Sequence, residues 1–134
     1  IFSDAATDVL VDLLGSFGAG GLAYLPTPPV RVLDTRRSGT LGPGVAVAYS
    51  VSAAGLGGQV PGAAYVNVTA ANHVAPGYVT TYDCVTRRDT STLNQQVGQA
   101  TANGAIVPLS ALQSCGWTYG GGDLIVDLNG WWVP

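Results

Sequence analysis

The chain holds one histidine, His73, and eight acidic side chains that are all Asp, so hydrolysis is the first chemistry to weigh. A Ser–His–Asp arrangement needs that imidazole beside a nucleophile and an orienting acid. No Gly-x-Ser-x-Gly elbow is present and Ser38, Ser91 and Ser110 stand in turn contexts, so His73 reads as a loop histidine. Paired carboxylates for glycoside hydrolysis would come from Asp34, Asp83, Asp89, Asp123 or Asp127. A compact core in 134 residues leaves little room for a substrate cleft, and neither a catalytic residue nor enzymatic activity is expected. Asp83, Asp89 and loop carbonyls could hold Ca²⁺, but no Asp-x-Asp-x-Asp spacing occurs; no metal and no cofactor is expected.

Binding chemistry is better represented. Trp117, Tyr119, Trp131 and Trp132, with Tyr78 and Tyr82, offer flat rings with a polar edge, which suit sugar stacking and protein interfaces alike. Adjacent Trp131 and Trp132 must point to opposite sides of a continuing strand, one toward the core and one available. The alternative is that both pack against the linker or a neighbouring module. Asp34-Thr35-Arg36 follows the apolar run "VRVL" and so sits at a strand end. There Asp34 can cap the turn, Thr35 can bond backbone, and Arg36 or Arg31 can form an ion pair that fixes the loop. Asp34 and Arg36 could instead clamp a sugar or carboxylate ligand. Asn67, Asn94, Gln99 and Asn103 lie in or beside apolar strands, where an amide must satisfy several hydrogen-bonding groups; they read as ties between loops and strands, or as an amide-lined sugar site. Asn67-Val68-Thr69 fits the N-glycosylation pattern, but within a strand.

Charge and cysteine usage narrow the setting. A net charge of −3, with the basic pairs Arg36-Arg37 and Arg87-Arg88 far apart, lacks the electrostatic footprint of a nucleic-acid binder. No apolar run approaches the roughly 20 residues that cross a bilayer, so no membrane insertion is expected. The first residues lack the basic region of a signal peptide, and an export signal would lie outside the chain. Cys84 and Cys115 fit neither a zinc nor a thioredoxin spacing. They read as a disulfide rather than two buried thiols, and hence as a sign of an oxidising compartment.

The elements that must carry these residues are strands. Glu, Lys and Met are absent, while 19 Gly and 8 Pro punctuate runs of Val, Thr, Tyr and Ala. In "VAVAYSVSA" Val45, Val47, Tyr49 and Val51 share one face; in "AAYVNVTAANH" Ala64, Val66, Val68 and Ala70 point inward. "GYVTTYDC" follows the turn Ala75-Pro76-Gly77, and is expected to pair with the preceding run as a hairpin. Further strands are expected over Val30 to Asp34, Ser91 to Gln95, Ala105 to Leu109, Cys115 to Tyr119 and Leu124 to Leu128. The reading is all-β: a two-sheet antiparallel β-sandwich of about nine strands with one disulfide, a β-barrel being the alternative.

The ninth strand comes from an internal echo. "DVLVDLLGSF" and "DLIVDLNGWW" share Asp8/Asp123, Val11/Val126, Asp12/Asp127, Leu13/Leu128 and Gly15/Gly130, each pair 115 positions apart. Residues 1–17 therefore read as a strand equivalent to the closing strand of a preceding repeat, with Val9, Val11 and Leu13 as its assembly face. A helix is the competing reading, since Val9, Leu10, Leu13 and Leu14 also stand at helical spacing behind Thr7. Residues 18–29 read as a Gly/Pro linker and 30–134 as the sandwich module.

Taken in order, "PVRVLDTRRSG", "VNVTAANHVAPGYVTTYDC", "STLNQQVGQATANGAIVPL" and "LIVDLNGWW" resemble a repeat module of secreted and cell-surface proteins of actinobacteria, from about Pro29 to Trp132. The resemblance implies an extracellular, usually tandem, accessory module with no catalytic residue set. The expected role is non-catalytic attachment or display at a cell envelope, by binding carbohydrate, such as a cell-envelope polysaccharide, or another surface polymer through exposed aromatics. The competing role is a structural subunit or stalk repeat, whose neighbouring copies join through the N-terminal strand.

Overall fold

A computed structural model describes residues 2 and 4–134. Among the described residues there are eight strands: β1 (Ala23–Asp34), β2 (Val45–Ser50), β3 (Ala63–Ala71), β4 (Gly77–Tyr82), β5 (Leu93–Gln95), β6 (Thr101–Pro108), β7 (Gln113–Thr118) and β8 (Asp123–Val133). A single 3₁₀ turn (Thr35–Arg37) follows β1. The strands form two antiparallel four-stranded sheets, ordered β1-β8-β3-β6 and β2-β7-β4-β5. Neither sheet closes, so the fold is a β-sandwich and the barrel alternative is set aside.

Alternation builds the core. In β3 the side chains of Ala64, Val66, Val68 and Ala70 are fully buried, as their period-2 spacing requires. They meet Leu124, Val126 and Leu128 of the neighbouring β8, Ala105 and Val107 of β6, and Tyr49, Val79 and Leu93 from the opposite sheet. Each large apolar side chain sequestered this way stabilises the fold by about 1.5–3 kcal/mol relative to exposure.

Three expectations change. Strand β1 begins at Ala23, inside the stretch read as a linker. Its prolines are tolerated because β1 is an edge strand, and its pairing with β8 skips register between Pro26 and Val30. β3 and β4 do not form a hairpin. β3 is flanked on both sides by β8 and β6, so no edge remains for β4, and the loop carrying Asn72 at φ 51° crosses to the other sheet. The N-terminal strand is also missing. Ile1 and Ser3 lie outside the described residues, and the remainder of 1–17 forms neither strand nor helix. Both neighbours of its look-alike β8 are already engaged, and Val9, Leu10, Val11 and Leu13 stay 51–94% exposed.

The Cys84–Cys115 disulfide is present, with Cα atoms 5.0 Å apart. It ties the loop after β4 to the middle of β7. Among the described residues no helix is long and apolar enough to cross a membrane. The disulfide is compatible with an extracellular protein.

Candidate functional site

The outer face of the second sheet carries an aromatic trio. Trp117 and Tyr119 lie two residues apart on the same side of the β7 run, and the Tyr119 backbone N–H donates to the Tyr78 carbonyl (2.9 Å), which sets Tyr78 beside them. Tyr78 and Tyr119 stack at 5.4 Å with 15° between planes; Trp117 lies 5.5 Å from Tyr78 and 6.1 Å, edge-on, from Tyr119. The Trp117 indole N–H donates to the Gly44 carbonyl (2.9 Å), and the Arg87 guanidinium carbon sits 4.1 Å from the Trp117 ring centroid. Tyr119 remains 57% exposed, leaving a ring free to take a ligand.

The loop from Asp83 to Thr92 folds back over this face. Cys84 anchors it, the Thr80 hydroxyl donates to the Thr90 carbonyl, and the Thr92 hydroxyl accepts the Thr81 N–H (2.9 Å). Asp83 accepts the Val85 and Thr86 N–H groups, closing a turn. Asp89 accepts the Tyr78 phenol (3.0 Å), and that carboxylate, aided by burial, raises the Tyr78 pKa.

Beside Tyr78 this loop and strands β5 and β6 enclose a groove of about 760 Å³, whose polar walls include Tyr78, Asp89, Ser91, Asn94, Thr101 and Asn103. Leu10 and Asp12 of the N-terminal segment also line it, and Asp12 accepts the Ser91 N–H (3.2 Å). Ser91 donates to Asn94 (2.9 Å) and Asn103 to the Thr92 carbonyl (2.7 Å). Each amide uses one of its hydrogen-bonding groups there and retains others for a ligand.

The remaining expected residues lie elsewhere. Trp131 and Trp132 do point to opposite sides: Trp131 packs against the core and donates to the Ser52 carbonyl (3.0 Å), whereas Trp132 joins Tyr24 (5.1 Å) and Phe17 (5.4 Å) on the outer face of the first sheet. A second cavity, about 570 Å³, is bounded there by Leu14, Phe17, Leu22, Ile106 and Trp132. The six residues read as ligand-binding therefore separate into four places: Trp117 with Tyr119, Trp131 against the core, Trp132 on the outer face of the first sheet, and Asp34 with Arg36.

Asp34 is engaged by its own chain. Arg36 donates to both carboxylate oxygens (2.8 and 2.7 Å) and Arg31 adds a third bond (3.1 Å), so the side chain is only 5% exposed and does not cap the turn. The Arg36 hydrogen bonds, then Arg31, hold its carboxyl well below the ordinary carboxylate range. Arg31 also grips Asp127 with two donors across the β1–β8 ladder. The neighbouring Thr35 hydroxyl donates to buried Asp123 (3.1 Å) and accepts the Leu124 N–H (2.9 Å), while Asn72 donates to the other Asp123 oxygen (2.8 Å). Asp34 and Asp123 thus hold strand ends in place, and Asp127 holds β8 to β1 within the ladder.

His73 lies on the β3–β4 loop, 5% exposed, against Gly122. Among the described residues no group of three or more His, Cys, Asp or Glu side chains could hold a metal ion. Of the amides, Asn103 ties β6 to the Thr92 carbonyl and lines the groove with Asn94, Asn67 donates to Thr69 (3.2 Å), Gln99 is exposed, and the buried tie is Gln95, which donates to the Ala75 and Gly121 carbonyls and accepts Thr118. Leu93 faces inward, so alternation alone sends Asn94 out and Gln95 in. Arg87 over Trp117, and Asp89 on Tyr78, left no signal in sequence, because the loop that brings them back is irregular.

In comparisons with known proteins no family model matches the chain, and neither does any curated protein or solved structure.

Proposed function

We propose that the chain is a non-catalytic extracellular module that binds a cell-envelope polysaccharide along the Tyr119–Tyr78 surface and the adjoining groove. The observation that carries this reading is the junction at Tyr78: one ring belongs both to a stacked aromatic pair and to a groove lined by hydroxyl and amide groups. A sugar ring presents an apolar C–H face and a rim of hydroxyls, and these two surfaces match them in turn. The charged groups on the groove wall are the carboxylates Asp12 and Asp89, which favours neutral or amino sugars over uronic acids. The sequence resemblance to secreted repeat modules and the disulfide are in keeping with that setting.

A glycan array spanning neutral, amino and acidic envelope polysaccharides tests the reading. Retention on neutral or amino-sugar polymers is expected. Absence of binding to every polymer would sink it. The competing structural reading, in which copies join through residues 1–17, is favoured by the exposed apolar side chains of that segment.

A further inference from the structure

The echo between residues 8–17 and β8 acquires physical content once the work of each β8 residue is known. Asp123 is buried and takes hydrogen bonds from Thr35 and Asn72. Val126 and Leu128 are 0% and 2% exposed in the core. Asp127 receives Arg31 of β1. Gly130 lies so close to β1 that a Cβ there would sit 2.5 Å from the Tyr24 hydroxyl and 2.7 Å from the Leu25 carbonyl oxygen. These five positions are the ones repeated, as Asp8, Val11, Leu13, Asp12 and Gly15. Two intervening positions also keep their character, Leu124, 1% exposed, corresponding to Val9 and Trp132, tilted against Tyr24, to Phe17, whereas core-packed Trp131 corresponds to Ser16.

A segment that merely needed to be extended and apolar would not repeat two carboxylates and a glycine at the points where β8 meets β1 and the Thr35 turn. In this chain Asp12 accepts the Ser91 N–H, but the rest of the pattern stays outside the core. Val11 and Leu13 are 72% and 89% exposed, and a Cβ on Gly15 would meet nothing within 4 Å. The slot that fits the segment, between β1 and β3, is filled by β8 itself.

We infer that residues 8–17 are a β8-type strand whose partner is a second copy of this sandwich, where they take the slot between β1 and β3 in place of that copy's own β8, with Asp12 on the Arg31 of that copy and Val9, Val11 and Leu13 in its core. This is strand addition to a specified slot, with main-chain pairing supplying affinity and the inward side chains supplying register. Docking in this way withdraws Leu10 and Asp12 from the groove wall beside Tyr78, so its tests read folding and oligomeric state rather than sugar binding.

Two measurements on the full chain test it. In the first, Asp123–Val133 is replaced by the residues of 8–18, which amounts to Leu124→Val, Ile125→Leu, Asn129→Leu, Trp131→Ser, Trp132→Phe and Val133→Gly. A shorter exchange carries the first three changes alone. A control inserts residues 7–17 instead, a slip of one position that sends Asp into the core. The in-register exchange is expected to retain a cooperative thermal transition and the Cys84–Cys115 bridge, and the slipped one to lose both. Failure of both in-register lengths, or equal folding of the slipped chain, would overturn the assignment. In the second, Val126→Asp and Leu128→Asp disable β8 while the N-terminal segment stays intact. Light scattering is expected to show soluble, concentration-dependent oligomers, which disappear when Val11→Asp and Leu13→Asp are added. A monomer, or aggregation indifferent to residues 11 and 13, would overturn a second copy as the partner.

Discussion

Removing the disulfide with Cys84→Ala and Cys115→Ala couples stability to the candidate site. The bridge spans a sequence separation of 31. In the chain-entropy model a loop of that length constrains the unfolded state by about 3.7 kcal/mol. Spread over the unfolding entropy of 134 residues, that loss lowers Tm by about 13 °C. A domain with a total stability of about 5–15 kcal/mol remains folded at room temperature after such a loss. Calorimetry on the oxidised chain and the double variant reads the shift directly. Cys84 has φ of 65°, in the left-handed region, so Cys84→Gly with Cys115→Ala is expected to be about 1 kcal/mol less destabilised than the double alanine variant. The same bridge anchors the loop carrying Arg87 and Asp89, so the variant should also lose the Trp117 fluorescence signature of the stacked arginine. A Tm change under about 3 °C would refute the reasoning, because the loop would then be held closed without the bridge.

Three further outcomes follow from the packing. Gly130→Ala pushes a methyl group against the Leu25 carbonyl, a backbone atom that cannot swing away, and is expected to cost about 1–3 kcal/mol in denaturant unfolding, whereas Gly15→Ala should leave stability unchanged. Thr35→Val removes a donor to the buried Asp123 carboxylate and the acceptor of the Leu124 N–H, and is expected to destabilise by about 2–3 kcal/mol by the same measurement. Burial pushes the Tyr49 phenol up to about 12, while the unfolded chain ionises near pH 10; the fold therefore keeps this contribution below about pH 10 and loses about 2–3 kcal/mol as pH rises toward 12. Unfolding followed across that range should show the decline, and Tyr49→Phe should reduce it to what the raised Tyr78 phenol adds.

The parts of the fold legible in sequence are those governed by local alternation. Val66 and Val68 in β3, Tyr49 in β2 and Val126 in β8 all face the core because a strand leaves them no other side. The bridge between Cys84 and Cys115 was legible for the different reason that no other chemistry suits their spacing. What did not show was pairing between distant segments. β1 pairs with β8, Ala23 opposite Val133, and only that pairing makes a strand of a proline-rich stretch that reads as a linker. β3 and β4 are neighbours in sequence yet lie in different sheets, because β6 and β8 take both edges of β3. In the candidate site, Trp117 and Tyr119 were visible as aromatic residues two positions apart. Their grouping with Tyr78, and the distance of Trp131, Trp132 and Asp34 from them, depend on which sheet each strand joins.

The central claim is that Tyr119 and the groove beside Tyr78 bind sugar. Its most direct test is calorimetric titration of the best glycan from the array into the full chain and into Tyr119→Ala. The exposed Tyr119 ring can be removed without opening the core, so Tm should stay within a degree or two while affinity falls about 10-fold or more, the signature of truncating a contact residue worth over about 1 kcal/mol. Unchanged affinity for the variant would contradict the assignment of this surface.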